Sequence, residues 1–207
     1  MVKLKLCGLA NEDALRLAGE ARPDAVGFVL AQSPRQVDVA TLARLLEWVP
    51  DGVQRWAVFR TPDASVLSQI AHLPLTGVQG HHDWDGVGLP QGWAFLPVFN
   101  DGEDLADRVR AFGFGGRPKA SNGLIGALLV DGPVGGGMGI RADWARVAKV
   151  AQLGPTVLAG GLTPDNVAEA VKVVRPYAVD VSSGIEASPG IKDAGKVRRF
   201  VTAARNE

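Results

Sequence analysis

The chain has 207 residues, enough to bury a sizeable core and short for two domains. Lys plus Arg and Asp plus Glu number 22 each, so the formal net charge is zero and gives no reason to expect a nucleic-acid or membrane-surface partner. No apolar run approaches the ~20 residues of a membrane span, the N-terminus lacks a signal-peptide pattern, and one cysteine suits a reducing cytoplasm.

Short apolar or β-branched runs alternate with amphipathic stretches from end to end. Val2–Leu6 is the first predicted strand, followed by a helix over Glu12–Glu20 with Leu15, Leu17 and Ala18 on its buried stripe. A strand at Ala25–Val29 precedes a helix at Val39–Trp48, and a strand at Arg55–Phe59 precedes a helix at Pro62–Ala71. Thr61 as cap and Pro62 in the first turn mark that helix start. The strand Gly77–Gln79 leads into His81–Gly92, which reads as a short helix or an irregular segment. Ala94–Val98 and Leu105–Phe112 form the next strand and helix, then Ala127–Val130 and Asp143–Val150. Thr156–Leu158 leads to a helix at Pro164–Val174, where Thr163 and Pro164 repeat the cap and proline signal. Ala178–Val181 and a helix over Lys192–Ala204 complete the series.

The strands are nearly continuous apolar runs, as parallel strands covered on both faces should be. Eight strands at ~25 residues per unit predict an α/β chain folded as a single (β/α)8 barrel with short loops. An open doubly wound sheet is the competing architecture and normally has fewer strands. With no linker, low-complexity tract or charge block, residues 1–207 are expected to form one domain.

Candidate chemistry gathers at predicted strand ends. Cys7 is the chain's one cysteine, so it makes no internal disulfide. Taken alone it reads as a small buried hydrophobe, but its place at a strand's C-terminal end is where α/β folds put their chemistry. Asp131 ends the sixth strand and suits acid–base work, although Asp-Gly is also a common turn. Asp180 lies within the eighth strand and is either a hydrogen-bonded core carboxylate or a site residue. Arg35 follows the second strand and is either a solvated loop arginine or a two-bonded clamp for a carboxylate. His81-His82-Asp83 resembles a metal cluster, but neighbouring side chains of an extended segment face opposite ways and no third ligand is evident.

Three glycine-bearing segments follow late strands: Gly135-Gly136-Gly137-Met138-Gly139, Ala159-Gly160-Gly161 and Ser182-Ser183-Gly184. Glycines let backbone amides approach an anion, and the loops after strands seven and eight are a frequent phosphate site in barrels. Together they predict a phosphorylated ligand, with Gly136, Gly137, Gly160, Gly161, Ser182, Ser183 and Gly184 around it.

Ordered motifs across nearly the whole chain resemble phosphoribosylanthranilate isomerase, an enzyme family of tryptophan biosynthesis. They include Lys5-Leu6-Cys7-Gly8-Leu9, Ser33-Pro34-Arg35, Leu128-Leu129-Val130-Asp131 and Leu158-Ala159-Gly160-Gly161-Leu162. Val179-Asp180-Val181-Ser182-Ser183-Gly184-Ile185-Glu186 and Lys192-Asp193 continue the match. The chain departs from the family pattern in three places: Gly80-His81-His82 after Gln79, Pro97 in strand five, and Met138 in the third glycine loop.

The resemblance implies a (β/α)8 barrel that converts N-(5-phosphoribosyl)anthranilate to 1-(2-carboxyphenylamino)-1-deoxyribulose 5-phosphate by an Amadori rearrangement, with no metal and no organic cofactor. It further implies Asp131 as general acid, Cys7 as general base, Arg35 on the anthranilate carboxylate and the glycine segments on the phosphate. The enzyme would be cytoplasmic and a monomer or homodimer. An ordinary thiol (~8.5) needs some thiolate to act as base, and an ordinary Asp (~3.9) needs a raised pKa to act as acid. The substrate's own anions are one expected source of that upward shift on Asp131. Another phosphosugar barrel enzyme and a non-catalytic phosphate-binding barrel are the competing readings.

Overall fold

The computed structural model describes residues 1–84, 88–114, 124, 126–134 and 139–206. Eight parallel strands close into a barrel in chain order: β1 (Lys3–Cys7), β2 (Ala25–Val29), β3 (Gln54–Val58), β4 (Gly77–His81), β5 (Ala94–Asn100), β6 (Leu128–Asp131), β7 (Thr156–Leu158) and β8 (Ala178–Val181). β8 returns to pair with β1, so no edge of this sheet is left open. The competing open sheet is thereby excluded.

Seven α-helices among the described residues lie between or after the strands. They are α1 (Glu12–Ala21), α2 (Val39–Leu46), α3 (Ala64–Ile70), α4 (Leu105–Ala111), α5 (Trp144–Ala151), α6 (Val167–Val174) and α7 (Ala194–Arg205). Short polar side chains start most of them by accepting a free backbone N–H. Asn11 accepts from Ala14, Asp38 from Thr41, Asp143 from Ala145 and Arg146, and Asp193 from Lys196.

Two helix starts fall later than the sequence signals suggest. Thr61 and Pro62 stay outside α3, and Asp63 caps it by accepting from Ser65 and Val66. Residues 164–166 form a turn before α6, in which Asn166 accepts from the Thr163 N–H and donates to the Gly161 carbonyl. Asp63 supplies the cap expected of Thr61, and the Asn166 side chain closes a turn ahead of α6. The connection from β4 to β5 contains no helix among its described residues.

Alternation along the strands makes two cores. Leu4, Leu6, Phe28, Val78, Val130, Val179 and their like face the helices, where they meet Leu15, Leu42, Leu67, Val147 and Phe200. Ala25, Trp56, Leu96, Leu129, Val157 and Ala178 form a separate cluster inside the barrel. Trp56 is completely buried there, in a cluster that also holds Ala25, Ala127, Ala159 and Ala178, an arrangement in which one large side chain fills the lumen. Above that apolar floor the same inward parity carries Lys5, Cys7, Asp131 and Asp180.

A small hairpin follows β8. A single 3-10 turn at Ser183–Ile185 leads into β9 (Glu186–Ser188), which pairs antiparallel with β10 (Ile191–Lys192) before α7 begins. The sequence reading placed Lys192 in the last helix. It lies instead on β10, buried, and Asp193 caps the helix.

Candidate active site

Strand register assembles the site. Cys7 is the last residue of β1 and lies opposite Gly27 of β2. Two residues earlier, Lys5 lies opposite Asp180 of β8, and its Nζ donates to Asp180 Oδ1 at 2.9 Å. That resolves the open reading of Asp180: it is the counter-ion of a completely buried lysine.

Asp131 ends β6 opposite Asn100 at the end of β5. Its strand end is fixed by three bonds. The Asp101 N–H donates to the Asp131 carbonyl at 2.9 Å, Asn100 Nδ2 donates to the Gly132 carbonyl at 2.9 Å, and the Gly132 N–H donates to Asp131 Oδ1 at 2.7 Å. Desolvation pushes this carboxyl up to about 6, helped by the negative charge of Asp180. The Gly132 N–H and the Lys5 ammonium oppose the shift and do not cancel it. A raised acid therefore exists in the ligand-free protein, with a cause other than the substrate anions expected from the sequence.

The Cys7 thiol is buried, and burial raises its pKa. Lys5 and Lys192 pull it down, while Asp180 adds to the rise. The thiol form thus dominates at neutral pH. Lys5 itself stays charged: burial disfavours the ammonium, but Asp180 and Cys7 together hold its pKa above the ordinary value.

Arg35 makes the two-bonded carboxylate clamp that its chemistry suggested, and the carboxylate is the chain's own. Nε and Nη2 donate to Glu186 Oε1 and Oε2, each at 2.8 Å. Lys192 Nζ joins the same carboxylate at 2.8 Å and donates to the Ser182 carbonyl at 3.1 Å. Burial disfavours the Glu186 anion, yet the bonds from Arg35 and Lys192 hold its pKa below the usual value. With Asp131 protonated, Arg35, Lys5 and Lys192 against Asp180 and Glu186 leave one net positive charge at the mouth, which suits an anionic ligand.

The loops after β7 and β8 come together as expected. Gly160 and Gly161 both have positive φ, +78° and +64°, and a methyl on Gly160 would run into the Gly132 backbone. A methyl on Gly184 would run into the Leu162 carbonyl oxygen, so the β8 loop can only lie this close to the β7 loop with glycine there. Ser183 opens the 3-10 turn beside Gly184. Ser182 points elsewhere: its Oγ is 3.5 Å from Lys192 Nζ, on the Arg35 side of the mouth. Gly136 and Gly137 lie outside the described residues.

His81 and His82 have separate local duties. His81 Nδ1 is 2.7 Å from Asp83 Oδ1, and the His82 ring stacks on Phe99 with centroids 4.2 Å apart.

Sequence reasoning assigned no role to Lys5, Glu186 or Lys192. Lys5 had a usable signal, since it shares strand parity with Cys7 and interrupts an apolar run. Glu186 and Lys192 stood in motifs that resemble the family, but their pairing had no signal, because Arg35 is 151 residues from Glu186 and the hairpin that brings Lys192 to Glu186 was not foreseen.

Comparison with known proteins points one way. A family model described as N-(5'-phosphoribosyl)anthranilate (PRA) isomerase matches residues 119–203. The N-(5'-phosphoribosyl)anthranilate isomerase of Pseudomonas aeruginosa (strain UCBPP-PA14) is 42% identical, covering 99% of this chain and 96% of that protein. The Thermotoga maritima phosphoribosyl anthranilate isomerase structure has a TM-score of 0.82 at 30% identity over 100% of both chains. A further structure of such an isomerase, in complex with reduced 1-(o-carboxyphenylamino)-1-deoxyribulose 5-phosphate, has a TM-score of 0.80 at 28% identity, again over 100% of both.

Proposed function

The chain belongs to the N-(5'-phosphoribosyl)anthranilate isomerase family, and on that premise we propose how its residues divide the reaction. It is an isomerase of tryptophan biosynthesis that converts N-(5-phosphoribosyl)anthranilate to 1-(2-carboxyphenylamino)-1-deoxyribulose 5-phosphate. The single observation that carries the assignment is the pairing of a carboxyl raised to about 6 on β6 with a thiol ending β1.

Asp131 gives its proton to the ribose ring oxygen. The C1–O bond breaks, its electron pair leaves with oxygen, and the nitrogen lone pair forms an iminium at C1. The cation acidifies the C2 proton, which passes to the Cys7 sulfur, and the C–H electron pair neutralises the iminium to an enolamine. Tautomerisation then adds a proton at C1 and removes one from the C2 hydroxyl, so the sum is an isomerisation. Burial serves the two groups differently. It makes Asp131 a proton donor near neutrality, and it makes a thiolate, once formed, a strong base.

Arg35 takes the anthranilate carboxylate with the edge of its guanidinium that Glu186 does not use. The amides around Gly160, Gly161, Ser183 and Gly184, with Gly136 and Gly137, take the phosphate. Ser182 sides with Arg35 and Lys192, so its hydroxyl is better placed for the middle of the substrate than for the phosphate.

Residues 1–207 act as one catalytic domain in the cytoplasm, a reading supported by the lone free thiol. No helix among the described residues is long and apolar enough to cross a membrane. One T. maritima relative is described as dimeric, and this chain acts as a monomer or a homodimer.

The test is loss of anthranilate-type fluorescence from freshly generated phosphoribosylanthranilate. Decay with the parent protein, and almost none with Cys7→Ala or Asp131→Asn, is the expected result. Full activity in either variant would remove that residue from its role.

A further inference from the structure

The mechanism above gives no part to the buried ion pair of Lys5 and Asp180. Lys5 stands two residues before Cys7 on β1, on the same inward face, with no exposed surface. Register brings it level with Asp180 and leaves Cys7 level with Gly27. The lack of a side chain on Gly27 keeps the two groups in one space: a methyl there would lie 2.8 Å from Cys7 Sγ and 3.1 Å from Lys5 Nζ. Lys5 Nζ donates to Asp180 Oδ1 on one side, and on the other it and the Cys7 sulfur flank the same point beside Gly27.

A buried ion pair is weak evidence of stabilisation, since apolar side chains of similar volume often serve the fold as well. The barrel floor just below is built that way, from Ala25, Trp56 and Ala178. An ammonium also has three donors, and Asp180 Oδ1 engages one. The remaining donors are available to the thiol, which shares the space beside Gly27.

We propose that Lys5, anchored by Asp180, is a positioning residue that stabilises the thiolate of Cys7 and so enables it to take the substrate's C2 proton. The inference rests on the assignment of Cys7 as the base. Lys5 keeps its own proton throughout: the C2 proton passes to sulfur, and the ammonium supplies charge and a hydrogen bond.

The charged groups around the thiol come from four elements. Lys5 lies on β1, Asp180 on β8, Lys192 on β10, and Arg35 on the loop after β2. Lys5 exerts a larger pull on the thiolate than Asp180's opposing push. Removing both should therefore raise the thiol's titration midpoint, and removing Lys5 alone should raise it further.

Because Cys7 is the chain's single cysteine, its titration can be read without interference. The measurement is far-ultraviolet thiolate absorbance against pH, with the Cys7→Ala protein subtracted, on the parent, Lys5→Met and the double variant Lys5→Met/Asp180→Asn. The double variant leaves no lone buried charge, so it decides the question if Lys5→Met does not fold. We expect both midpoints to rise by at least about one pH unit, a tenfold loss of thiolate at fixed pH. In Lys5→Met, kcat should fall by at least about tenfold with KM within about twofold of the parent. An unchanged midpoint in a double variant with native circular dichroism would overturn the proposal. If the midpoint rises but the parent turns over no phosphoribosylanthranilate, the support of the thiolate by Lys5 stands and the isomerase reading falls.

Discussion

Arg35 and Glu186 hold each other through two parallel hydrogen bonds of 2.8 Å, joining the loop after β2 to the hairpin after β8. The bond pair fixes the guanidinium plane before any ligand arrives. Its free edge is thus presented in one orientation, and a substrate carboxylate need not spend binding energy ordering a loose arginine.

Glu186→Ala should release that plane. We expect KM to rise about tenfold or more while kcat changes less, since the lost contact orients the ground state as well as the transition state. Lys192 would also lose the carboxylate that compensates its burial, so urea unfolding should show a loss of about 3 kcal/mol. A KM equal to that of the parent would mean that Arg35 does not hold the substrate in this orientation.

The pH profile should assign its limbs in the less familiar order. Asp131 must be protonated and Cys7 ionised, yet Asp131 titrates at about 6 and the thiol above its ordinary range. Below about 6 both groups carry protons, and above the thiol's range both have lost them. Between these limits one proton is shared, and the productive arrangement is a constant minority. kcat/KM should therefore rise through about pH 6, stay flat across neutrality and fall only in alkali. The acid limb belongs to Asp131. A profile that climbs steadily with thiol ionisation and has no limb near 6 would contradict the assignment.

Asp131→Asn should abolish turnover and stabilise the protein at neutral pH. A carboxyl whose folded pKa is raised contributes fully below its unfolded value near 3.8, and that contribution is lost as pH climbs to about 6. At pH 7.5 the parent holds an ionised group that the fold disfavours by up to about 3 kcal/mol. Thermal unfolding should show the variant ahead at pH 7.5 and level with the parent at pH 4. An equal difference at both pH values would point to packing instead of charge.

Gly184→Ala should separate the β7 and β8 loops, because its methyl would meet the Leu162 carbonyl. Inorganic phosphate should then inhibit at least about tenfold less well, with KM raised in parallel and kcat nearly preserved. Unaltered phosphate inhibition would place the phosphate elsewhere.

All eight strands were legible because parallel strands are buried on both faces and so read as apolar runs. Helix starts were less so. Thr61-Pro62 and Thr163-Pro164 look like caps, but Asp63 and Asn166, each a few residues on, capture the local amides. The candidate acid and base were legible because each ends a strand. The charges that tune them were not, because Lys5 meets Asp180 across 175 positions of sequence and Arg35 meets Glu186 across 151. Strand parity places Lys5 inside the barrel, but only the shear of the closed sheet decides what stands opposite it.

The seam between β1 and β8 has a consequence for the growing chain. Lys5 lies on the first strand of the barrel, and Asp180 emerges only after seven strands have been translated. Until then the ammonium is held by hydration alone, and the thiol beside it is as open and reactive as any free cysteine. The last strand to dock therefore shields the thiol in the same movement that completes its charged surroundings. Reactivity of Cys7 toward alkylating reagents on ribosome-bound chains of increasing length should drop at the point where β8 clears the exit tunnel, which makes this residue a built-in reporter of barrel closure.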